Sequence, residues 1–148
     1  MTRLSAAHPF LTSEDLKFAY RTLSTDPQVE VMKGLSVLEL SLLVTMHKLE
    51  ERDIREYNFQ LIYKEYKEFI RSDAAFSFFH YEKSVCFKAF ERLIDLELVK
   101  RTHHSRTGVP KPFQAVRAAV FPSQIRRAVS EHSYAPTALH HWALKWTA

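Results

Sequence analysis

The stretch Gly34-Leu35-Ser36-Val37-Leu38-Glu39-Leu40 carries the sharpest local signal in the sequence. Ser36 is suited to cap a helix, and Glu39 stands three residues later, where the two side chains form a capping box. Leu35 and Leu40 occupy the flanking positions that form a hydrophobic staple. The pattern therefore predicts that a helix begins directly after Ser36.

The predicted helix runs from Val37 to about Glu51. Its middle, Leu40-Ser41-Leu42-Leu43-Val44-Thr45-Met46, is apolar on nearly all sides. A helix of this kind lies in the centre of a fold, because it has no side to present to water. We therefore expect residues 37–51 to form the central helix.

Two more helices follow, and both show a 3.6-residue apolar repeat. Asn58 is placed to cap the first of them. Its apolar side consists of Phe59, Ile62, Tyr63, Tyr66, Phe69 and Ile70. The second is predicted from about Glu82 to Leu96, and its inward side consists of Val85, Cys86, Ala89, Phe90, Leu93 and Leu96. Residues 72–79, between the two helices, are predicted to form an aromatic loop or a short strand.

The sequence pattern changes from helical to strand-like after residue 97. Leu98–Thr102 is predicted to be a strand, and Phe113–Val120, rich in small and β-branched residues, a second one. His103–Pro112 is a polar turn that contains Gly108. Together these segments predict a hairpin with a long basic tip.

Shorter helices are predicted on both sides of this unit. Thr12 can cap a helix that ends at the breaker Thr25-Asp26-Pro27, and residues 29–33 form a connector whose type the pattern leaves open. Pro122 suits the first position of a short helix, and Pro136 suits the start of a last one. The last helix carries Leu139, Trp142, Leu144 and Trp146. Its tryptophans form either an exposed interface patch or a contact with the rest of the domain.

The order of the predicted elements defines a fold class. Three helices followed by a hairpin describe a winged helix, a variant of the helix-turn-helix. We therefore predict a mainly α-helical protein with a small β-hairpin. A chain of 148 residues has room for one domain and an appendage. We assign residues 1–33 to a leading segment with a helix and a linker, and residues 34–148 to the winged-helix domain with its C-terminal helices.

Several kinds of chemistry find no support in the sequence. The two glycines, Gly34 and Gly108, are too few for the glycine-rich loops that bind nucleotide phosphates. The adjacent pairs His103-His104 and His140-His141 lack carboxylates or cysteines at ligand spacing, so we predict no metal site. Cys86, the only cysteine, lies in an apolar pattern and is expected to be an inert core thiol. We expect no enzyme activity and no cofactor in this stretch.

Charge is divided unevenly along the chain. Residues 1–97 contain 13 Lys or Arg against 16 Asp or Glu, whereas residues 98–148 contain eight against one. No acidic residue occurs between Leu98 and Ser130. This asymmetry indicates an anionic partner on one part of the surface, with a merely soluble basic surface as the alternative. No apolar run is long enough to cross a membrane.

Four stretches, in the same order and at the same spacing, make the chain resemble a known family. The first is residues 34–40. The others are Tyr57-Asn58-Phe59-Gln60 with Tyr63 and Phe69, Lys88-Ala89-Phe90-Glu91 followed by Leu96-Glu97-Leu98-Val99-Lys100, and Tyr134-Ala135-Pro136-Thr137 with Trp142. Together, over residues 29–146, they resemble the C-terminal winged-helix domain of origin recognition complex subunit 4.

The resemblance implies a nuclear protein of eukaryotic DNA replication. Members of this family carry an ATPase module of the AAA+ type before the winged helix, encircle origin DNA with other subunits and help to load the replicative helicase. The resemblance therefore implies double-stranded origin DNA, other subunits of the complex and helicase-loading factors as partners. It also implies that this chain is a C-terminal fragment, in which the helix from Ser13 to Ser24 is the end of the ATPase lid. The yeast member carries an extra helix in this domain that probes the DNA groove. The present wing, Thr102–Pro112, is too short and polar for one, so base-specific reading of that kind is not expected.

Candidate DNA-binding residues follow from the charges. In a winged helix the third helix often enters the major groove and the wing follows the backbone. Residues 82–97 carry three basic and four acidic residues, a poor surface for DNA. The hairpin region carries no acid and five basic residues, which are Lys100, Arg101, Arg106, Lys111 and Arg117. Lys88 and Arg92 are further candidates, although they can instead pair with Glu91 and Asp95 along their helix.

Two functional hypotheses remain open at this point. In the first, the domain binds duplex DNA through its wing, mostly by phosphate contacts. In the second, it is a protein-interaction module that docks on a neighbouring subunit and does not touch DNA. The acid-free hairpin favours the first, and the near-neutral third helix with its aromatic neighbours favours the second.

Overall fold

The structure is a computed structural model that describes residues 13, 14, 16, 26–72, 80–102 and 108–144. The helix predicted over residues 13–24 lies almost wholly outside this part of the chain. Its described members, Ser13, Glu14 and Leu16, are helical.

The central helix begins and ends where the sequence predicts. After a first helix α1 (Pro27–Lys33), helix α2 spans Val37–Glu51. The hydroxyl oxygen of Ser36 accepts a hydrogen bond from the Glu39 N–H at 3.2 Å and donates to the Glu39 carboxylate at 2.8 Å. Every residue from Leu38 to Leu49 is buried. The capped, fully buried central helix is therefore confirmed.

Helices α3 (Phe59–Ser72) and α4 (Lys83–Asp95) pack against α2. The Asn58 side chain caps α3 by accepting the Leu61 N–H at 3.0 Å, as predicted. The buried side of α3 consists of Phe59, Ile62, Tyr66 and Ile70, and that of α4 of Cys86, Phe90 and Leu93.

The prediction that Val85 and Leu96 face inward on α4 is wrong. Val85 is 42% exposed and Leu96 is 37% exposed. Val85 precedes Cys86 by one residue, which turns its side chain about 100° around the helix and away from the buried stripe. Leu96 lies past the helix end as its C-cap, where the helical repeat no longer decides which side chains are buried.

The predicted hairpin is present, with shorter strands. Strand β1 (Val99–Arg101) pairs antiparallel with β2 (Val116–Ala118). The second strand is only three residues long, because Lys111–Phe113 forms a 3₁₀ turn before it and the backbone bends at residues 119–120 after it. Gly108 has a φ of 92°, a conformation open to glycine and strained for other residues, where the tip bends. The predicted loop or strand at residues 72–79 lies outside the described residues, apart from Ser72 at the end of α3.

The connector before Gly34 is the helix α1, and it packs on α5 (Pro122–Glu131). Asp26 caps α1 and also accepts a hydrogen bond from the Gln124 side chain at 2.8 Å, so one glutamine joins the starts of both helices. Val29 and Met32 lie in the same hydrophobic core as α2. The connector predicted over residues 29–33 therefore packs as part of the domain core.

The last helix, α6 (Thr137–Leu144), folds back onto the domain. Trp142 stacks on Phe69 of α3 with ring centroids 3.5 Å apart, which decides between the two predicted placements of this side chain. Leu144, predicted on the same apolar side, is 52% exposed because Leu139 and Ala143 form the buried side. Trp146 lies outside the described residues.

Cys86 is fully buried, and burial raises the pKa of its thiol to about 11, as expected of an inert core cysteine. Within the described residues, no cluster of histidine, cysteine or acidic side chains is arranged to hold a metal ion. No helix in that part of the chain has the length and apolar character needed to cross a membrane.

Candidate nucleic-acid interface

Tyr57 anchors the hairpin to the helical core. Its backbone forms a bridge with Val116, with the Val116 N–H donating to the Tyr57 carbonyl at 2.7 Å. Its hydroxyl accepts the Ala118 N–H and donates to the Glu50 carboxylate, both at 2.8 Å. The linker between α2 and α3 therefore acts as a third strand beside β2 and holds the hairpin at a defined position.

The hairpin has two sides with different charge surroundings. Val99 and Val116 are buried, so the alternation along the strands turns Lys100 and Arg117 to the opposite side. These two cations are direct cross-strand partners, and both are exposed. Like charges opposite each other repel, so the direct pairing of these two side chains is unfavourable.

The side of the hairpin that faces α4 carries mixed charge. A hollow there is lined by Glu91, Ile94 and Asp95 of α4 together with Arg101 and Lys111. The ammonium of Lys111 lies 3.5 Å from the Glu91 carboxylate. The acid-free hairpin of the sequence therefore acquires acidic neighbours through tertiary packing.

The two candidates on α4 have different surroundings. Arg92 is ion-paired to Glu39 of α2, with 3.4 Å between Nε and Oε2, and not to the Glu91 or Asp95 partner that its own helix offers. The Glu39 side chain is only 7% exposed, so Arg92 compensates a buried carboxylate. Lys88 is exposed and has no ion-pair partner within the described chain.

The structure thus sorts six of the seven predicted residues into three groups. Lys100 and Arg117 share the outer side of the hairpin, Arg101 and Lys111 line the hollow against α4, and Lys88 and Arg92 lie on α4 itself. Arg106 lies outside the described residues.

Sequence reasoning missed Arg55 and Glu50, which lie beside the outer side of the hairpin. A shallow hollow is lined by Glu50, Arg55 and Arg117. Burial raises the pKa of Glu50, opposed by the hydrogen bond from Tyr57 and by the charge of Arg117. The linker that contains Arg55 has no repeating pattern of apolar residues, so the sequence does not indicate where Arg55 lies. Only the Tyr57 bridge shows that Arg55 is near the wing.

The elements and their order define a winged-helix domain. Helices α2, α3 and α4 form the three-helix unit, the Tyr57 bridge and the two strands form its small sheet, and the segment between β1 and β2 is the wing.

Comparison with known proteins places this domain in one family. A family model described as the C-terminus of origin recognition complex (ORC) subunit 4 matches residues 1–129. Origin recognition complex subunit 4 of Mus musculus is 36% identical over 150 residues, covering 99% of this chain and 34% of the mouse protein. The Homo sapiens protein is 34% identical with the same coverage. The origin of replication complex subunit 4 of Oryza sativa is 29% identical over 129 residues, covering 87% of this chain and 27% of the rice protein.

This chain belongs to the origin recognition complex subunit 4 family, in which it corresponds to the C-terminal domain. It spans about a third of the length of the curated relatives that it matches. The family resemblance expected from the four sequence stretches is therefore confirmed.

Proposed function

We propose that this domain binds duplex DNA through its wing, mainly by contacts to backbone phosphates. One observation carries the proposal, namely the exposed cross-strand pair of Lys100 and Arg117 on a hairpin that is anchored to the core. Two cations held side by side on neighbouring strands favour an anionic partner, because an anion removes their mutual repulsion. Phosphate contacts of this type position a protein on DNA without reading its sequence.

The names of the relatives support origin DNA as the relevant duplex. The mouse and human proteins are subunits of an origin recognition complex, so we propose replication origins as the site of action and the nucleus as the compartment. Other subunits of the complex and helicase-loading factors are the proposed protein partners. The domain's role is binding, and any ATP hydrolysis belongs to the ATPase module that the resemblance implies.

A charge-neutralised wing tests the proposal. In the variant Lys100→Gln/Arg101→Gln/Arg117→Gln, we expect the dissociation constant for a fluorescent duplex, measured by anisotropy at low salt, to rise at least tenfold. If each cation meets one phosphate, the slope of log K against log salt flattens by about 2.7. The matched control Lys64→Gln/Lys67→Gln/Arg71→Gln removes the same charge from α3. Equal losses in both variants would mean that net charge and not the wing attracts the DNA.

A second function, docking on a neighbouring subunit, is favoured by exposed apolar side chains. Phe121 is 70% exposed, Tyr134 is 83% exposed and Leu144 is 52% exposed. Large apolar side chains that are grouped at a surface are typical of protein contacts, whereas scattered single ones are ordinary, and the following variant distinguishes the two. The variant Phe121→Ser/Tyr134→Ser is expected to weaken co-purification with the other subunits while leaving duplex binding of the isolated chain unchanged. Undiminished co-purification would remove these side chains from the interface.

A further inference from the structure

The outer side of the wing continues onto the linker between α2 and α3. Tyr57 fixes this linker to β2 by its backbone bridge and by its hydroxyl. Arg55 stands two residues earlier, is exposed, and lines the same hollow as Arg117. A neighbouring hollow is lined by Lys100 and Arg117 together with Glu56. Because Arg117 borders both hollows, Arg55, Arg117 and Lys100 form one continuous surface, which we call the outer basic surface.

The carboxylates on this side leave the three cations available. Glu56 lines the hollow of Lys100 and Arg117, but it is exposed and forms no ion pair with either cation in the described part of the chain. Asp53 lies 3.8 Å from Arg55, but both side chains are strongly exposed, at 91% and 79%, where such a pair is weak. Glu50 is half-buried and accepts the Tyr57 hydroxyl. The charge of the Glu50 carboxylate attracts the Arg117 guanidinium. Because a guanidinium has five N–H donors, an interaction with one carboxylate leaves donors for a second anion.

The cation on the opposite side of the wing already has a partner. Lys111 is ion-paired to Glu91, and Asp95 lines the same hollow. A phosphate that approaches Lys111 meets these two carboxylates. Arg101 lines the hollows on both sides of the hairpin and so lies at the boundary between them.

We propose that the outer basic surface, formed by Arg55, Lys100 and Arg117, is the phosphate-binding surface of this domain, and that Arg55 is a DNA contact in its own right. The inference rests on the proposed function and deepens it, since it names which side of the wing meets the backbone. DNA then runs along the outer side of the hairpin and across the start of the linker, away from the Glu91 carboxylate.

Two matched pairs of single substitutions test this division. Arg55→Gln is compared with Arg52→Gln, three residues earlier in the same linker. Arg52 serves as the control because it forms an ion pair with Glu65 at 2.8 Å. Lys100→Gln is compared with Lys111→Gln on the two sides of one hairpin. For each, the slope of log K against log salt is measured on one fluorescent duplex. We expect Arg55→Gln and Lys100→Gln each to flatten the slope by about 0.9, and the two controls to change it by less than about 0.3.

The outcomes separate the inference from the function on which it rests. If the unsubstituted chain binds no duplex at low salt, both fail together. If it binds and Arg55→Gln leaves the slope unchanged, or if Lys111→Gln flattens it as much as Lys100→Gln, the wing still binds DNA but the outer basic surface is rejected. Circular dichroism of each variant excludes loss of folding as the cause of weaker binding.

Discussion

The central helix α2 and the hairpin are built from opposite kinds of sequence. From Leu38 to Leu49 the helix is buried without interruption, and buried hydroxyl side chains within it donate to backbone carbonyls one turn earlier. Ser41, for example, donates its hydroxyl to the Val37 carbonyl at 2.6 Å, and Thr45 donates to Ser41 at 2.8 Å. The two strands of the hairpin bury Val99 and Val116 and carry cations at three of their four other positions, which are Lys100, Arg101 and Arg117.

The difference teaches which residues are constrained by folding. In α2 almost every side chain contributes to the core, so substitutions there act on stability first. In the hairpin the cations add little to packing, so substitutions there act on binding and leave the fold intact. Four predictions test this contrast, in order of decreasing effect on stability.

The largest loss is expected for Leu43→Ala, in the middle of α2. Leu43 is fully buried, so truncation removes apolar contacts and leaves a cavity, at a cost of about 2–5 kcal/mol in the free energy of unfolding. Urea denaturation measures the change. The exposed Leu144 provides the control, because Leu144→Ala should stay within about 0.5 kcal/mol. Similar losses at both positions would contradict the central role of α2.

A smaller loss is expected for Tyr57→Phe, at the junction of the two regions. Removing the hydroxyl leaves the Ala118 N–H without its acceptor and Glu50 without its donor, at a cost of about 1–3 kcal/mol. Hydrogen exchange should also accelerate at the Ala118 amide. The control Tyr134→Phe alters an exposed tyrosine and should have no effect on stability. An unchanged amide at Ala118 would show that the hydroxyl does not anchor the hairpin.

Removing Arg92 should weaken the contact between α4 and α2. In Arg92→Ala the nearly buried Glu39 carboxylate loses its cation, which we expect to cost about 1–2 kcal/mol. Lys88→Ala, one turn away on α4, serves as the control. The double variant Glu39→Gln/Arg92→Ala should recover part of the loss, because the uncompensated charge is gone. No recovery would mean that Arg92 acts through its packing alone.

The smallest effect is expected on the outer side of the hairpin. Lys100→Gln/Arg117→Gln should change the free energy of unfolding by no more than about 0.5 kcal/mol, and relief of the cross-strand repulsion makes a slight gain the expected sign. Thermal denaturation in parallel with the duplex titration measures both quantities. A large loss of stability would mean that these cations stabilise the fold, and it would contradict the contrast between the hairpin and α2.

Local sequence signals predicted the helices well. The bounds of α2, its Ser36 cap and the Asn58 cap of α3 are as predicted, since capping and the 3.6-residue repeat act over a few neighbouring residues. Two of the errors occur where that locality ends. Leu96 lies past the end of α4, and the second strand is shortened by a turn that the composition of residues 113–120 does not reveal.

The candidate site was only partly predictable for the same reason. The basic character of residues 98–130 is a property of the chain, and it correctly indicated Lys100 and Arg117 as exposed cations. The pairing of Lys111 with Glu91, and of Arg92 with Glu39, joins elements that are distant in sequence. The position of Arg55 beside the wing depends on the Tyr57 bridge, which also joins residues distant in sequence.

The sequence by itself determined the capped central helix, the three-helix order, the basic hairpin and the family, because periodicity, capping and composition are all written along the chain. Tertiary structure alone decided which cations are neutralised and which stay available, and it brought Arg55 beside Arg117. The physical reason is that electrostatic interactions depend on distance in space. A charge count along the hairpin includes no acid, whereas packing against α4 places two carboxylates next to Lys111.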